Sequence, residues 1–184
     1  MLSEAPWFYV YDMVEWLYRQ RKADRTAEAW NHLEDALAVE FASTINRAFR
    51  QKGVGWQLSD GEIQVRGAEV FETFVHQAIE LAEKTGREVA RQELKEALRD
   101  LSRRPSPEVT GAIQHAMAAL ECIAKDVTGD TKSTLGEWVK KNSSAFPQPI
   151  GSAVEKLWGY SSQYGRHVQE GKPADYVEAD LVVV

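Results

Sequence analysis

PEVTGAIQHAMAALECIAKDVTG, residues 107–129, is the stretch that decides the fold. Val109, Ile113, Ala116, Met117, Leu120, Ile123, Ala124 and Val127 recur at three- and four-residue intervals, which puts them on one broad face of an α-helix. Ser106-Pro107-Glu108 reads as a helix start, because proline fits the first helical turn at no cost in hydrogen bonds. Gly129 tolerates the left-handed backbone that closes a helix. A helix with so wide an apolar face needs other helices around it. The chain is expected to be mainly α, with a small β-hairpin and additional N-terminal helices.

The pattern extends both ways. Downstream, residues 134–141 read as a short helix with Leu135, Trp138 and Val139 inward. Residues 150–160 carry Val154, Leu157 and Trp158, and Pro173 opens a last helix through Tyr176, Val177, Ala179 and Leu181. The chain closes on Leu181-Val-Val-Val184, an apolar end expected to pack in a core or a dimer seam, or else to mark a truncated chain. Upstream, residues 88–102 place Val89, Leu94, Leu98 and Leu101 inward. Residues 68–83 place Val70, Phe71, Phe74, Val75, Ile79 and Leu81 on their apolar positions. Residues 27–49 run through Trp30, Leu33, Leu37, Phe41, Ile45 and Phe49, and residues 7–18 through Val10, Met13, Val14 and Leu17. Between them, two alternating runs in 56–65 flank Asp60-Gly61, whose tolerance of positive φ predicts a type I′ hairpin turn. Pro105 and Pro107 mark the clearest boundary, giving an N-terminal region 1–104 and a bundle 105–184, or one compact unit made of both.

Composition narrows the function classes. Of 184 residues, 43% are hydrophobic and 27% charged, the profile of an ordinary globular protein. No apolar run reaches membrane-spanning length and no signal-peptide core is present, so no membrane role and a cytoplasmic location are expected. Cys122 is the single cysteine, which excludes an internal disulfide and a cysteine-based zinc cage. Neither a metal nor a cofactor is expected. Net charge is −6, so any nucleic-acid contact must be local.

Residues 49–63, Phe49 through Ile63 with Gly53, Gly55, Trp56 and Asp60-Gly61, resemble the helix-then-hairpin element of abortive-infection J proteins of bacterial phage defence. Residues 111–129, followed by Thr134-Leu-Gly136 and by Leu157-Trp-Gly-Tyr160 through Gly165-Arg-His167, are similar to the helical domain that usually follows, of the HEPN superfamily. The resemblance implies a HEPN-like up-and-down helical bundle that often dimerises; in catalytic members, Arg and His residues of two protomers meet across a cleft and cleave RNA without metal. A histidine moves the proton of a ribose hydroxyl near neutral pH, and an arginine holds charge building on phosphorus.

Arg166 and His167 are the candidate catalytic pair, in a glycine-flanked segment between two helical patterns. The family spaces Arg and His by four to six residues on one helix. Upstream of His167 those positions hold Tyr160, Ser161 and Ser162, and the one match, Arg25 with His32, is at chance level. Arg103, Arg104, Lys140 and Lys141 are the candidate nucleic-acid contacts. His115 sits beside the apolar stripe and reads as a hydrogen-bonded bundle-edge residue. His76 and Glu80 have metal-ligand spacing without a second histidine, Trp56, Trp158 and Tyr160 read as packing aromatics, and residues 128–132 as a turn.

The expected function is therefore an abortive-infection protein that binds RNA or nucleotide, as a degenerate, metal-independent endoribonuclease at a homodimer cleft. The alternative is a noncatalytic interaction or sensor module with a protein partner in a defence system. An antitoxin-like role is a third reading.

Overall fold

The computed structural model describes residues 6–23, 31–67, 69–142, 150–161 and 175–183. The described residues are mainly helical, with a single two-stranded antiparallel sheet. The chain divides into two compact units, Met1–Gly67 and Ala68–Val184.

The first unit holds helices α1 (Phe8–Ala23) and α2 (Asn31–Gln51) and strands β1 (Trp56–Ser59) and β2 (Glu62–Val65). The strands pair Trp56 with Val65, Gln57 with Gln64, Leu58 with Ile63 and Ser59 with Glu62. Asp60 and Gly61 take φ of 49° and 84°, the two positive angles a type I′ turn requires. Glycine is demanded at 61 for a second reason: a Cβ there would stand 2.8 Å from the Tyr18 ring. Leu58, Ile63 and Val14 are buried, and Tyr11, Tyr18, Phe41, Ala42, Ile45, Phe49 and Trp56 pack around them. Val10 and Met13, expected to share the inward stripe, are exposed instead, as is Leu37. The reason is that α1 is apolar on two sides. Tyr11, Val14 and Tyr18 face the hairpin, and Tyr9, Met13 and Trp16 lie on the opposite face.

A two-stranded sheet leaves both outer edges without strand partners. Leu58 and Ile63 face each other one step from the closing pair of the turn, so their backbone groups point outward, away from the ladder. Side chains from the helices meet them. Asn46 Nδ2 donates to Leu58 O at 2.9 Å, and Leu58 N–H donates to Asn46 Oδ1 at 2.7 Å. On the other edge Ile63 N–H donates to Glu15 Oε1 at 2.7 Å. Asn46 and Glu15 thus act as a third and fourth edge, which fixes the hairpin against α2 and α1.

The second unit holds α3 (Glu69–Lys84), α4 (Glu88–Leu101), α5 (Val109–Thr128), α6 (Leu135–Lys141), α7 (Ile150–Ser161) and α8 (Tyr176–Val183). α5 is its centre: α4, α6, α7 and α8 all pack on it, and α3 packs on α4. Glu108 caps α5, its Oε1 accepting from Gly111 N–H at 3.2 Å, and Gly129 ends the helix at φ 69°. Ala112, Ile113, Ala116, Met117, Ala119 and Ala124 form its buried face. In α6, Leu135, Trp138 and Val139 are buried as the spacing predicts. Thr134 starts this helix with a capping box, exchanging bonds with Glu137. Ala179, Val182 and Val183 of α8 are buried and the helix packs against α5 and α4, whereas Tyr176, Val177 and Leu181 are exposed and Val184 lies outside the described residues. Of the other described residues expected inward, four are exposed: Phe74, Leu81, Val89 and Val127. The last three lie in terminal turns of α3, α4 and α5, where a stripe runs beyond the neighbour that would cover it.

Candidate functional site

Arg166 and His167 lie outside the described residues, as does Arg25. The four candidate nucleic-acid contacts are described, on separate elements. Arg103 and Arg104 occupy the turn between α4 and α5, and Lys140 and Lys141 the last turn of α6. Three of them have a carboxylate at hand. Arg103 is 4.0 Å from Glu108, Lys140 is 3.7 Å from Glu155, and Lys141 is 3.7 Å from Asp130. Lys141 also donates to Ser133 Oγ at 2.6 Å. A phosphate arriving at any of these three cations would meet a carboxylate within 4.0 Å of it.

Residues 128–132 are a turn, as expected. Asp130 Oδ1 accepts from the backbone of Lys132 and of Ser133, both at 3.1 Å, and Oδ2 accepts from Ser133 Oγ at 2.6 Å. These bonds, those to Ser133 foremost, hold the Asp130 carboxyl down at about 2. Trp56 packs against Trp7 and Tyr11 with its ring tilted to theirs, and the Trp158 indole lies against Gly136, where a Cβ would approach within 2.5 Å. Both aromatics are packing groups in this structure. Glu80 pairs with Lys84 at 3.0 Å, which engages the acid spaced four residues from His76.

The densest convergence of titratable groups runs along the α4–α5 seam. Arg87 meets Asp126 at 3.8 Å, Glu93 meets His115, and Asp100 meets both His115 and Gly111. Numbers rise on one helix as they fall on the other, so the two helices are antiparallel. His115 Nδ1 is 2.7 Å from Glu93 Oε2, and His115 Nε2 is 3.7 Å from Asp100 Oδ2. Gly111 permits this closeness, because a Cβ there would overlap the Asp100 carboxylate. Burial pushes the Asp100 carboxyl above its usual range, against the pull of His115 and Arg103. Cys122 is half-buried, and burial, with Glu93 adding to it, raises its thiol, so it is a poor nucleophile.

The expectation that His115 is a hydrogen-bonded edge residue holds. Its partners were missed. Glu93 lies 22 positions away and Asp100 on another helix, so only the α4–α5 register brings them together. The one sequence signal was Gly111, a glycine inside a strong helix, which marks a close approach.

A helix-and-hairpin unit followed by a helical unit is the class of architecture the chain defines. Residues 1–81 match the family model AbiJ N-terminal domain 4, which supports a relationship to AbiJ proteins. That span takes in the whole first unit and most of α3, and is less than half of the chain. No curated protein and no solved structure matches. Among the described residues, no helix is long and apolar enough to cross a membrane.

Proposed function

We propose that this chain acts in abortive infection, the response in which a phage-infected bacterium stops growing before the phage can spread. The match of residues 1–81 to AbiJ N-terminal domain 4 carries this reading. Within it, a noncatalytic interaction or sensor role has the better structural support. The cations of the α4–α5 turn and of α6 stand beside carboxylates, and α1 turns Tyr9, Met13 and Trp16 away from the core of its unit. The test is expression in a susceptible bacterium under phage challenge. Plaque formation should fall while infected cells arrest, and Trp16→Glu should abolish protection without changing the far-UV dichroism. Plaque counts equal to those of an empty vector would overturn the proposal.

A second reading is binding and cleavage of RNA at a homodimer cleft by Arg166 and His167 of a HEPN-like bundle. It is favoured by the order of residues 111–129, 134–136 and 157–167 along the chain. Purified protein with total RNA separates the two. Cleavage that Arg166→Ala and His167→Ala remove selects the second reading, and no cleavage in either protein eliminates its catalytic form.

A further inference from the structure

We propose, resting on the interaction reading of α1 above, that its outward face docks a second copy of this chain, with the two α1 helices antiparallel across a two-fold axis. Tyr9, Met13 and Trp16 are 54%, 47% and 56% exposed. With Gln20, also exposed, they follow intervals of four, three and four residues. That spacing makes the narrow seam of two packed helices, not the broader face that sinks into a core. Tyr11, Val14 and Tyr18 occupy the other side of α1, against the hairpin, so the core of the unit does not use the stripe. The two flanks of the stripe differ. Asp12 and Arg19 border one side, and Val10 and Leu17 the other, each pair seven residues apart and so in line along the helix.

These flanks select the occupant. A two-fold axis across the seam sets each flank against its own copy, running the other way. With the axis near Trp16, Asp12 of one protomer meets Arg19 of the other, and Arg19 meets Asp12. Val10 and Leu17 meet in the same manner on the apolar flank. Parallel helices would set the charged flank against the apolar one and match neither. The face is therefore complementary to itself in one orientation. Arg19 bonds Glu15 through Nη2 at 3.2 Å and keeps 61% of its side-chain exposure, so a guanidinium with five donors still reaches outward. Area sets the strength. With its aromatics about half exposed, the stripe and its apolar flank offer roughly 400 Å² per protomer. Adding the charged flank, a pair covers roughly 1,000 Å² in all, the lower bound for a specific interface. This seam lies in the first unit and is separate from a cleft built on Arg166 and His167.

The test is sedimentation equilibrium of the full chain over a concentration series. A dimer with a dissociation constant of about 1–100 μM is expected. Trp16→Glu sets two charges at the axis and should weaken it by about 100-fold or more. Asp12→Arg and Arg19→Asp should each weaken self-association by about 10-fold or more, because each brings like charges face to face. An equimolar mixture of these two variants should regain the wild-type affinity, since every charged contact across the seam again joins opposite signs. Mixing does not rescue an unfolded variant. A chain that stays monomeric at about 1 mM overturns the proposal. So does a dimer that Trp16→Glu leaves intact, or a mixture that associates no more tightly than its components. The interaction reading of α1 falls separately, if Trp16→Glu still protects under phage challenge. A monomer that loses protection through Trp16→Glu keeps that reading, overturns the second copy, and assigns the face to a different protein.

Discussion

The two units put their polar side chains to different main uses. In the first, polar side chains serve the backbone: Asn46 and Glu15 bond the outward edges of a hairpin that has no further strands. In the second, polar side chains serve one another: Glu93 with His115, Arg87 with Asp126, Glu121 with Lys125. The difference follows from secondary structure. A helix satisfies its own interior backbone, whereas each edge of a two-stranded sheet leaves donors and acceptors exposed. Side chains on a helical bundle are thereby free to pair, and the densest convergence of titratable groups duly falls on α4 and α5. In the hairpin unit Asn46 and Glu15 are committed to architecture, and Glu15 also pairs with Arg19 at 3.2 Å.

The largest effect is expected in the second unit, from its apolar centre. Ile113 is fully buried at the middle of the contact surface of α5. Ile113→Ala removes three carbons from a site hemmed in by helices and should cost about 2–5 kcal/mol. Urea unfolding measures the loss, and amide exchange locates it. Protection of the α4 and α5 amides should fall while Leu58 and Ile63 stay protected. An equal loss at the hairpin would show that the two units unfold as one block, which breaks the comparison.

Next comes the hairpin edge. Asn46→Leu keeps the volume and leaves Leu58 N–H and C=O half-buried without their partner, at a cost of about 1–3 kcal/mol. Its signature is local: the Leu58 amide should exchange faster, and that of Ile63, held by Glu15, should follow less. Asn46→Asp sharpens the point by keeping the acceptor for Leu58 N–H while setting a second acceptor against Leu58 O in place of the donor. If Asn46→Leu changes neither stability nor exchange, the edge bonds are incidental.

These two experiments bear on what a sequence discloses. The hairpin was legible because Asp60-Gly61 is a local signal with one conformational reading, and both residues take positive φ. α5 was legible because a 3.6-residue period, a proline start and a glycine stop all agree. The orientation of α1 was not, since Val10, Met13, Val14 and Leu17 satisfy a stripe equally well and only the docking of Leu58 and Ile63 selects Val14. The edge bonds of Asn46 and Glu15 were likewise hidden, each joining residues 12 or more positions apart. His115 was legible as an edge histidine, and its pairing with Glu93 and Asp100 was not, because sequence alone does not set the stagger of two packed helices. Arg166 and His167, the residues the sequence favoured, fall outside the described residues.

The smallest effect tests a turn at the surface of the second unit, where a side chain serves the backbone as the helix caps Glu108 and Thr134 do. Asp130 accepts from Lys132 N–H, Ser133 N–H and Ser133 Oγ, and its carboxyl sits at about 2, against the usual 3.8. A depressed carboxyl stabilises the fold in its ionised form. That contribution is complete above the unfolded value near 3.8 and disappears as pH falls from there towards about 2. Asp130→Asn keeps an oxygen for the backbone donors but has no second acceptor for the Ser133 hydroxyl, and it removes the charge beside Lys141. The variant should melt slightly below wild type at neutral pH, with a small gap because the group is near solvent. The gap should close as both are acidified through that window. A gap that stays constant to pH 2 would mean that the carboxylate does not stabilise the turn, and backbone service in the second unit would then rest on its helix caps.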